Sequence, residues 1–130
     1  MDDDLLAAAR EATDNAHVPY SEYAVGAALE TDDGTVFTGC NIENANYSNS
    51  LHAEEVALAE AVKNGHHDFS CLAVTSAERD GVLPCGMCRQ TYNEFCADDF
   101  RVVCDGEQSA TEYRLGELLP DAISAETLDK

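Results

Sequence analysis

A chain of 130 residues suits one domain and buries roughly two-thirds of its unfolded surface, so it needs no disulfide staples to fold. Hydrophobic residues make up 45% of it, too many for a disordered chain. The 26 acidic residues outnumber 7 Lys and Arg, and a net charge of −19 repels phosphate backbones and argues against nucleic-acid binding.

Residues 4–16 place Leu5, Ala8, Ala9, Ala12 and Ala16 on one stripe of an amphipathic helix. The run Asp2-Asp3-Asp4 is expected to cap its start and favour its dipole, and Val18-Pro19-Tyr20-Ser21 breaks it. Val25 to Thr31 and Val36 to Cys40 flank Asp32-Asp33-Gly34-Thr35, the pattern of a hairpin. Asn41 to Ser50 is polar and reads as a loop. Ala53 to Lys63 reads as a second helix, stopped by Asn64-Gly65. Leu72 to Ser76 is a short apolar strand, and "ERDGVLP" after it is a loop. A third helix is expected over Cys85 to Ala97, with Pro84 at its entrance. Phe100 to Cys104 is a strand, Asp105-Gly106 a turn, and a short strand is expected near Tyr113. A helical turn through Leu118 and Leu119 ends at Pro120. Helices alternating with strands imply one layered α/β domain over residues 1–130, built around a mixed sheet.

The start "MDDDLL" lacks the basic and apolar regions of a signal peptide, and no apolar run approaches the roughly 20 residues of a membrane helix. The expectation is a cytoplasmic protein with no membrane partner. A reducing compartment disfavours disulfides, so the cysteines are candidates for metal binding, catalysis or burial. Cys40, Cys71, Cys96 and Cys104 lie in apolar contexts and read as small buried hydrophobes. The acids are scattered, as in "TDDGT" and "CADDF", which reads as a solvated surface suited to a high-salt cytoplasm.

Cys85-Gly86-Met87-Cys88 differs from the other cysteines. At a helix start the i,i+3 spacing puts both sulfurs on one face, where the helix N-terminus and a metal lower thiol pKa. A redox pair is the rival, but the thioredoxin-like strand near the chain start is missing. Two thiolates leave zinc short of ligands, and a structural site would add a second Cys pair or a His pair. His17, His66 and His67 read as solvated loop residues, which leaves His52, at the start of the second helix. Three protein ligands leave one position open, the mark of a catalytic zinc site. Glu54 taken alone is an ordinary first-turn acid, since i and i+2 do not share a helix face. Combined with the Cys pair, the balance shifts toward a role at the metal site.

The order His52-Ala53-Glu54 and then Pro84-Cys85-Gly86-Met87-Cys88 matches the signature of the zinc nucleobase deaminases. From "VPYSEYAVGAAL" through "FTGCNIENANYS" and "PCGMCRQ" to "ELLP", the chain resembles the small cytidine deaminases over nearly its whole length. The resemblance implies a three-layer α/β/α domain with a mixed five-stranded sheet. It implies zinc-dependent hydrolysis of cytidine and deoxycytidine to uridine and deoxyuridine, with release of ammonia. His52, Cys85 and Cys88 would hold Zn2+, and Glu54 would carry the proton. Asn41 and Glu43 would bind the ribose hydroxyls, Tyr23 would lie against the pyrimidine, and Ala53 would bind the base through its backbone. The family closes its sites with neighbouring subunits, so a homotetramer is expected, with Tyr47 reaching the nucleoside of an adjacent chain.

Three departures stand out. The small tetrameric members usually read Cys-Ala-Glu-Arg where this chain has His52-Ala53-Glu54-Glu55. Two thiolates and a neutral His leave the zinc core uncharged, so Glu55 in place of Arg is tolerable. Ile123 and Tyr23 stand where many members carry Phe, which bears on affinity and not on reaction class. Two rivals remain open: a zinc deaminase for another base, such as the antibiotic blasticidin or a polynucleotide, and a zinc-stabilised binding module without catalysis. "NIEN" favours a free nucleoside over both polynucleotides and nucleotides.

Overall fold

The computed structural model describes residues 2–78, 81–105 and 109–128. Among these, the elements run α1 (Asp2–Ala12), β1 (Val25–Thr31), β2 (Val36–Cys40), α2 (Ala53–Lys63), β3 (Phe69–Ser76), α3 (Gly86–Asn93), β4 (Arg101–Cys104), β5 (Thr111–Arg114) and α4 (Leu115–Leu118). The strands form one sheet in the order β2-β1-β3-β4-β5. Only β3 and β4 pair in parallel; the other neighbours are antiparallel, so the sheet is mixed as expected.

The alternation of side chains along each strand sorts the core into two layers. Ala27 and Leu29, Leu72 and Val74, and Val102 and Cys104 pack on one face with Ala57, Leu58 and Ala61 of α2 and Tyr92 of α3. Their neighbours Ala28, Cys71, Ala73 and Val103 point the other way and meet Leu5, Leu6 and Ala9 of α1. The sheet is therefore sandwiched between α1 and the pair α2 and α3, and the three-layer expectation holds. Both faces being covered explains why β1 and β3 are nearly continuous apolar runs.

Several boundaries differ from the sequence reading. Helix α1 begins at Asp2, so Asp2 to Asp4 form its first turn. It tightens into a 3-10 turn at Thr13–Asn15, and Leu6 joins the buried stripe. Strand β3 starts earlier, at Phe69, because a register shift between Glu30 and Thr31 lets β1 pair as far as Phe69. Helix α3 ends at Asn93 and not at Ala97. The N–H groups of Phe95 and Cys96 both return to the Tyr92 carbonyl, at 3.1 and 2.9 Å, which turns the chain toward β4. Phe100 precedes β4, which begins at Arg101. The loop 41–50 contains a 3-10 turn at Tyr47–Asn49, and Ile42 bridges to His17 and Leu51. Cys71 and Cys104 are buried, but Cys40 and Cys96 are only half-buried. Arg79 and Asp80 of the expected loop, and Gly106 of the expected turn, lie outside the described residues. No helix among the described residues is long and apolar enough to cross a membrane.

Candidate active site

The site forms where the N-terminal ends of α2 and α3 meet. His52 is the extended N-cap residue of α2, and Cys85 occupies the same position on α3. Cys85 is thus outside the helix that it was expected to open, while Cys88 lies in the first turn and is fully buried. The convergence of the two helix ends is enforced from below. Gly39 of β2 lies so close to α2 that a β-carbon there would sit 2.3 Å from the Ala53 carbonyl oxygen. The buried hydroxyl of Tyr92, on α3, donates to the Glu54 carbonyl at 2.8 Å and ties the two helices together.

His52 Nδ1 stands 2.9 Å from Cys85 Sγ and 3.5 Å from Cys88 Sγ, and the two sulfurs are 3.5 Å apart. Tetrahedral zinc, with Zn–S of about 2.3 Å and Zn–N of about 2.0 Å, sets its ligand atoms roughly 3.5–3.8 Å apart. Two of the three separations match this spacing, and the third is shorter. One imidazole and two thiols are a borderline-soft donor set that suits zinc. Among the described residues this trio forms the group of His, Cys, Asp and Glu side chains close enough to hold one ion, with ligand atoms all within 4.8 Å. The residues fit the metal, and the trio leaves one tetrahedral position for a further ligand.

The helix N-terminus and a metal were together expected to lower the thiol pKa. In the protein alone, burial, with the Glu54 and Cys85 charges beside it, pushes the Cys88 thiol far above its usual range. Deprotonating Cys88 therefore falls to the metal, whose charge inverts the local balance.

Glu54 is 4% exposed, and burial raises its carboxyl pKa. That rise is opposed by its own backbone N–H, the His52 ring, the Cys85 backbone N–H and the Cys88 thiol. A carboxyl drawn both ways in this manner is suited to taking up and releasing a proton.

Glu54, His52 and Cys85 line a cleft of about 540 Å³, together with Tyr23, Asn41, Glu43, Ala53 and Tyr47. All nine residues singled out in the sequence are thus at the cleft or beside it, with Cys88 buried beneath. Asn41 Oδ1 accepts the Val25 N–H at 2.9 Å and Nδ2 donates to the Tyr23 carbonyl at 2.8 Å, so it also shapes the 23–25 wall. Each end retains one further hydrogen-bonding position. Glu43 Oε1 accepts the N–H groups of Tyr20 and Ser21 at 3.0 and 3.1 Å. Hydrogen bonds from Ser21, side chain foremost, hold its carboxyl below the usual range despite some desolvation. Tyr47 is 72% exposed at the cleft mouth and meets Tyr20 edge to face, with ring centroids 5.8 Å apart.

Three residues have a part in this geometry that the sequence reading did not assign. Glu55 Oε1 accepts the His52 N–H at 2.8 Å, and the His-x-x-Glu spacing of a capping box signals it. Tyr92 looks like any helical core aromatic. Arg89 donates from Nε to the Pro84 carbonyl at 2.7 Å and from Nη1 to the Leu118 carbonyl at 2.9 Å, contacts that no local pattern announces. His17 and His67 are exposed, as expected of loop histidines, while His66 is half-buried with its ring 5.1 Å from that of Phe37.

Comparison with known proteins agrees with this geometry. Residues 1–104 match the cytidine and deoxycytidylate deaminase zinc-binding region. A cytidine deaminase of Sporosarcina psychrophila is 42% identical over 125 residues, covering 95% of this chain and 92% of its own. A cytidine deaminase of Halalkalibacterium halodurans is 41% identical over 126 residues, with 96% of each chain covered. The crystal structure of cytidine deaminase from Burkholderia pseudomallei superposes with a TM-score of 0.87 at 40% identity, covering 93% of this chain and 98% of that one. With the donor trio, the buried carboxyl and the mixed sheet all in place, the chain belongs to the cytidine and deoxycytidylate deaminase family of zinc enzymes.

Proposed function

We propose that the protein hydrolyses cytidine and deoxycytidine to uridine and deoxyuridine and releases ammonia. The observation that carries this reading is the buried Glu54 beside the His52, Cys85 and Cys88 donor trio on one wall of a nucleoside-sized cleft. His52, Cys85 and Cys88 would hold the zinc, which when bound supplies the Lewis acidity that makes water reactive at neutral pH. Glu54 takes one proton from the attacking water as its oxygen adds to C4 of cytosine, and delivers that proton to N3. It then moves the remaining hydroxyl proton to the amino group, which leaves as ammonia while the C4 carbonyl forms. The Ala53 backbone orients the base, Tyr23 lies against the pyrimidine, and Asn41 and Glu43 take the sugar hydroxyls.

The same reading extends to assembly and habitat. Residues 1–130 act as one deaminase domain in a cytoplasmic homotetramer. Exposed Tyr47 and Leu51 at the cleft, with exposed Ile42 bridged to Leu51, support self-association. Tyr47 reaches the nucleoside of a neighbour. The net charge of −19 supports a high-salt cytoplasm.

Side-by-side assays with cytidine, deoxycytidine, deoxycytidine monophosphate and cytosine, followed by loss of cytosine absorbance, test the substrate. Turnover confined to the two nucleosides is the expected outcome. Full activity in metal-free protein, or preference for the nucleotide or free base, would refute the reading.

A further inference from the structure

The ladder of β4 ends at Cys104, which pairs with Val74 of β3 on one side and Thr111 of β5 on the other. Asp105 stands one residue beyond it, and there its side chain takes over the anchoring. Oδ2 accepts the Thr75 hydroxyl of β3 and Arg10 Nε, the latter at 3.2 Å, while Oδ1 accepts Arg10 Nη2. Thr75 is buried in the strand that pairs with β1. Arg10 belongs to α1, which covers the sheet face opposite α2 and α3. That helix is a fixed platform, since a β-carbon on Gly26 of β1 would stand 2.0 Å from the carbonyl oxygen of Ala9, the neighbour of Arg10. The Asp105 carbonyl in turn accepts the Gly81 N–H at 2.7 Å. One residue therefore joins α1 and β3 through its side chain to Gly81 through its backbone.

Gly81 has a φ of +74°, and the chain turns there into Val82 and Leu83. Both are half-buried, pack against the core layer of α2 and α3, and line the cleft beside Glu54 and Cys85. Neither can carry a proton, so their position bears on how a substrate is held and not on its chemistry. Pro84, next in the chain, has its own tie, since its carbonyl accepts Arg89 Nε at 2.7 Å. A shift at Gly81 is thus taken up by Val82 and Leu83 before it reaches Cys85. We propose that Asp105, held by Arg10 and Thr75, is a positioning residue that sets the Val82–Leu83 wall of the cleft through Gly81, so that substrate affinity depends on an ion pair made from the far face of the sheet. The proposal rests on the reading of the cleft as the nucleoside site.

Arg10→Gln, Asp105→Ala and their double variant are the test. Arg101→Gln, which loses an ion pair to Glu112 at the opposite end of β4, is the control. Each is measured for zinc content, for kcat and KM with cytidine, and for the methyl shifts of Val82 and Leu83. Arg10→Gln should raise KM about two- to fivefold, the scale of one partly exposed ion pair, with kcat and zinc content unchanged. Asp105→Ala also takes the acceptor from buried Thr75 and should raise KM roughly 10-fold or more. The double variant should match Asp105→Ala alone, because Arg10 acts only through Asp105. Arg101→Gln should leave KM as it is. The Val82 and Leu83 methyls should shift in the same order as KM, a change readable whether or not the protein turns over cytidine. An inactive wild type would thus fail the proposed function while the methyl shifts still judged the wall. Unchanged KM and unmoved methyls in Arg10→Gln would overturn the inference. So would an equal rise of KM in Arg101→Gln, or a fall of kcat in step with zinc content. Should Asp105→Ala not fold, Arg10→Gln decides alone, since it changes a side chain that is 55% exposed.

Discussion

Gly39→Ala places one methyl group where β2 and α2 touch. The added β-carbon would stand 2.3 Å from the Ala53 carbonyl oxygen, 2.6 Å from the Ala57 nitrogen and 3.0 Å from the Val56 β-carbon. Non-bonded heavy atoms rest near 3.5–4.0 Å, so the two elements must part by roughly 1 Å. The two nearest atoms are backbone, so no side-chain rotation relieves the clash. Overpacking of this kind costs about 1–3 kcal/mol, and the upper end is expected here. Either partner can give way, and both lead into the site. Moving α2 displaces His52 and Glu54, whereas withdrawing the edge strand β2 displaces Asn41 and Glu43 beyond it. A shift near 1 Å at a catalytic group costs about 100-fold in rate. We expect urea unfolding to show a loss near 3 kcal/mol at constant m-value, with the kinetic loss in kcat if α2 moves and in KM if β2 does. Gly86→Ala is the control. It lies between the two cysteines, but its β-carbon meets nothing within 4 Å, so it should fold and bind zinc as the parent does. Gly39→Ala with stability within about 0.5 kcal/mol of the parent and unchanged kcat and KM would refute the close-approach argument.

Glu54→Gln should retain zinc while kcat falls by about 10² to 10⁴ or more, whereas Glu55→Gln keeps an acceptor for the His52 N–H and should be mild; equal effects would reverse their roles. Cys88→Ala should lose the metal in a zinc assay, and Cys71→Ala, on the α1 face of the sheet, should keep it. Hydroxyls of Thr31 and Thr35 hold the Asp33 carboxyl at about 2, below the usual 3.8. Its folded pKa being depressed, the stability it contributes is present above about pH 4 and lost as pH falls through about 2. Thr31→Val should raise that pKa in an NMR titration and shrink the acid-dependent loss. In salt, melting temperature and sedimentation mass should both drop between about 2 M and 0.05 M potassium chloride, as the screening length grows several-fold. Unchanged values would remove the halophile reading and leave the deaminase untouched.

What was legible in the sequence follows from how local each signal is. The hairpin strands either side of Gly34 and the Asn64-Gly65 stop express contacts within a few residues, and each is where the sequence placed it. His52, Cys85 and Cys88 were legible because metal chemistry restricts both residue type and number, even across a sequence separation of 33 from His52 to Cys85. The early end of α3 was not legible, since Glu94, Phe95 and Cys96 carry no breaker. It is decided by tertiary packing, with Phe95 meeting Phe69 at 6.3 Å between ring centroids. Tyr92 and Arg89 were missed for a related reason. Their partners are backbone carbonyls of Glu54, Pro84 and Leu118, and a carbonyl has no sequence identity.

The charge balance sets Arg89 apart. The chain has 7 Lys and Arg against 26 acids, so a cation that binds carbonyls is withheld from a large excess of carboxylates. Among the described residues the other cations meet acids: Arg10 with Asp105, Lys63 with Glu60, and Arg101 and Arg114 both with Glu112. Such exposed pairs contribute about 0–1 kcal/mol each and are weakened by salt. They cannot hold the fold together against so many uncompensated acids, and the two apolar layers must do so. Salt then acts with opposite signs at two places. It weakens a few surface pairs but screens a far larger number of repulsions, so the fold gains. The hydrogen bonds of half-buried Arg89 and the thiolate–imidazole trio are short-range and poorly screened, so they gain and lose little. Lowering salt should therefore reduce melting temperature before it reduces zinc content or the protection of the Arg89 Nε–H from solvent exchange. The reverse order would mean that surface charge reaches the zinc ligands directly.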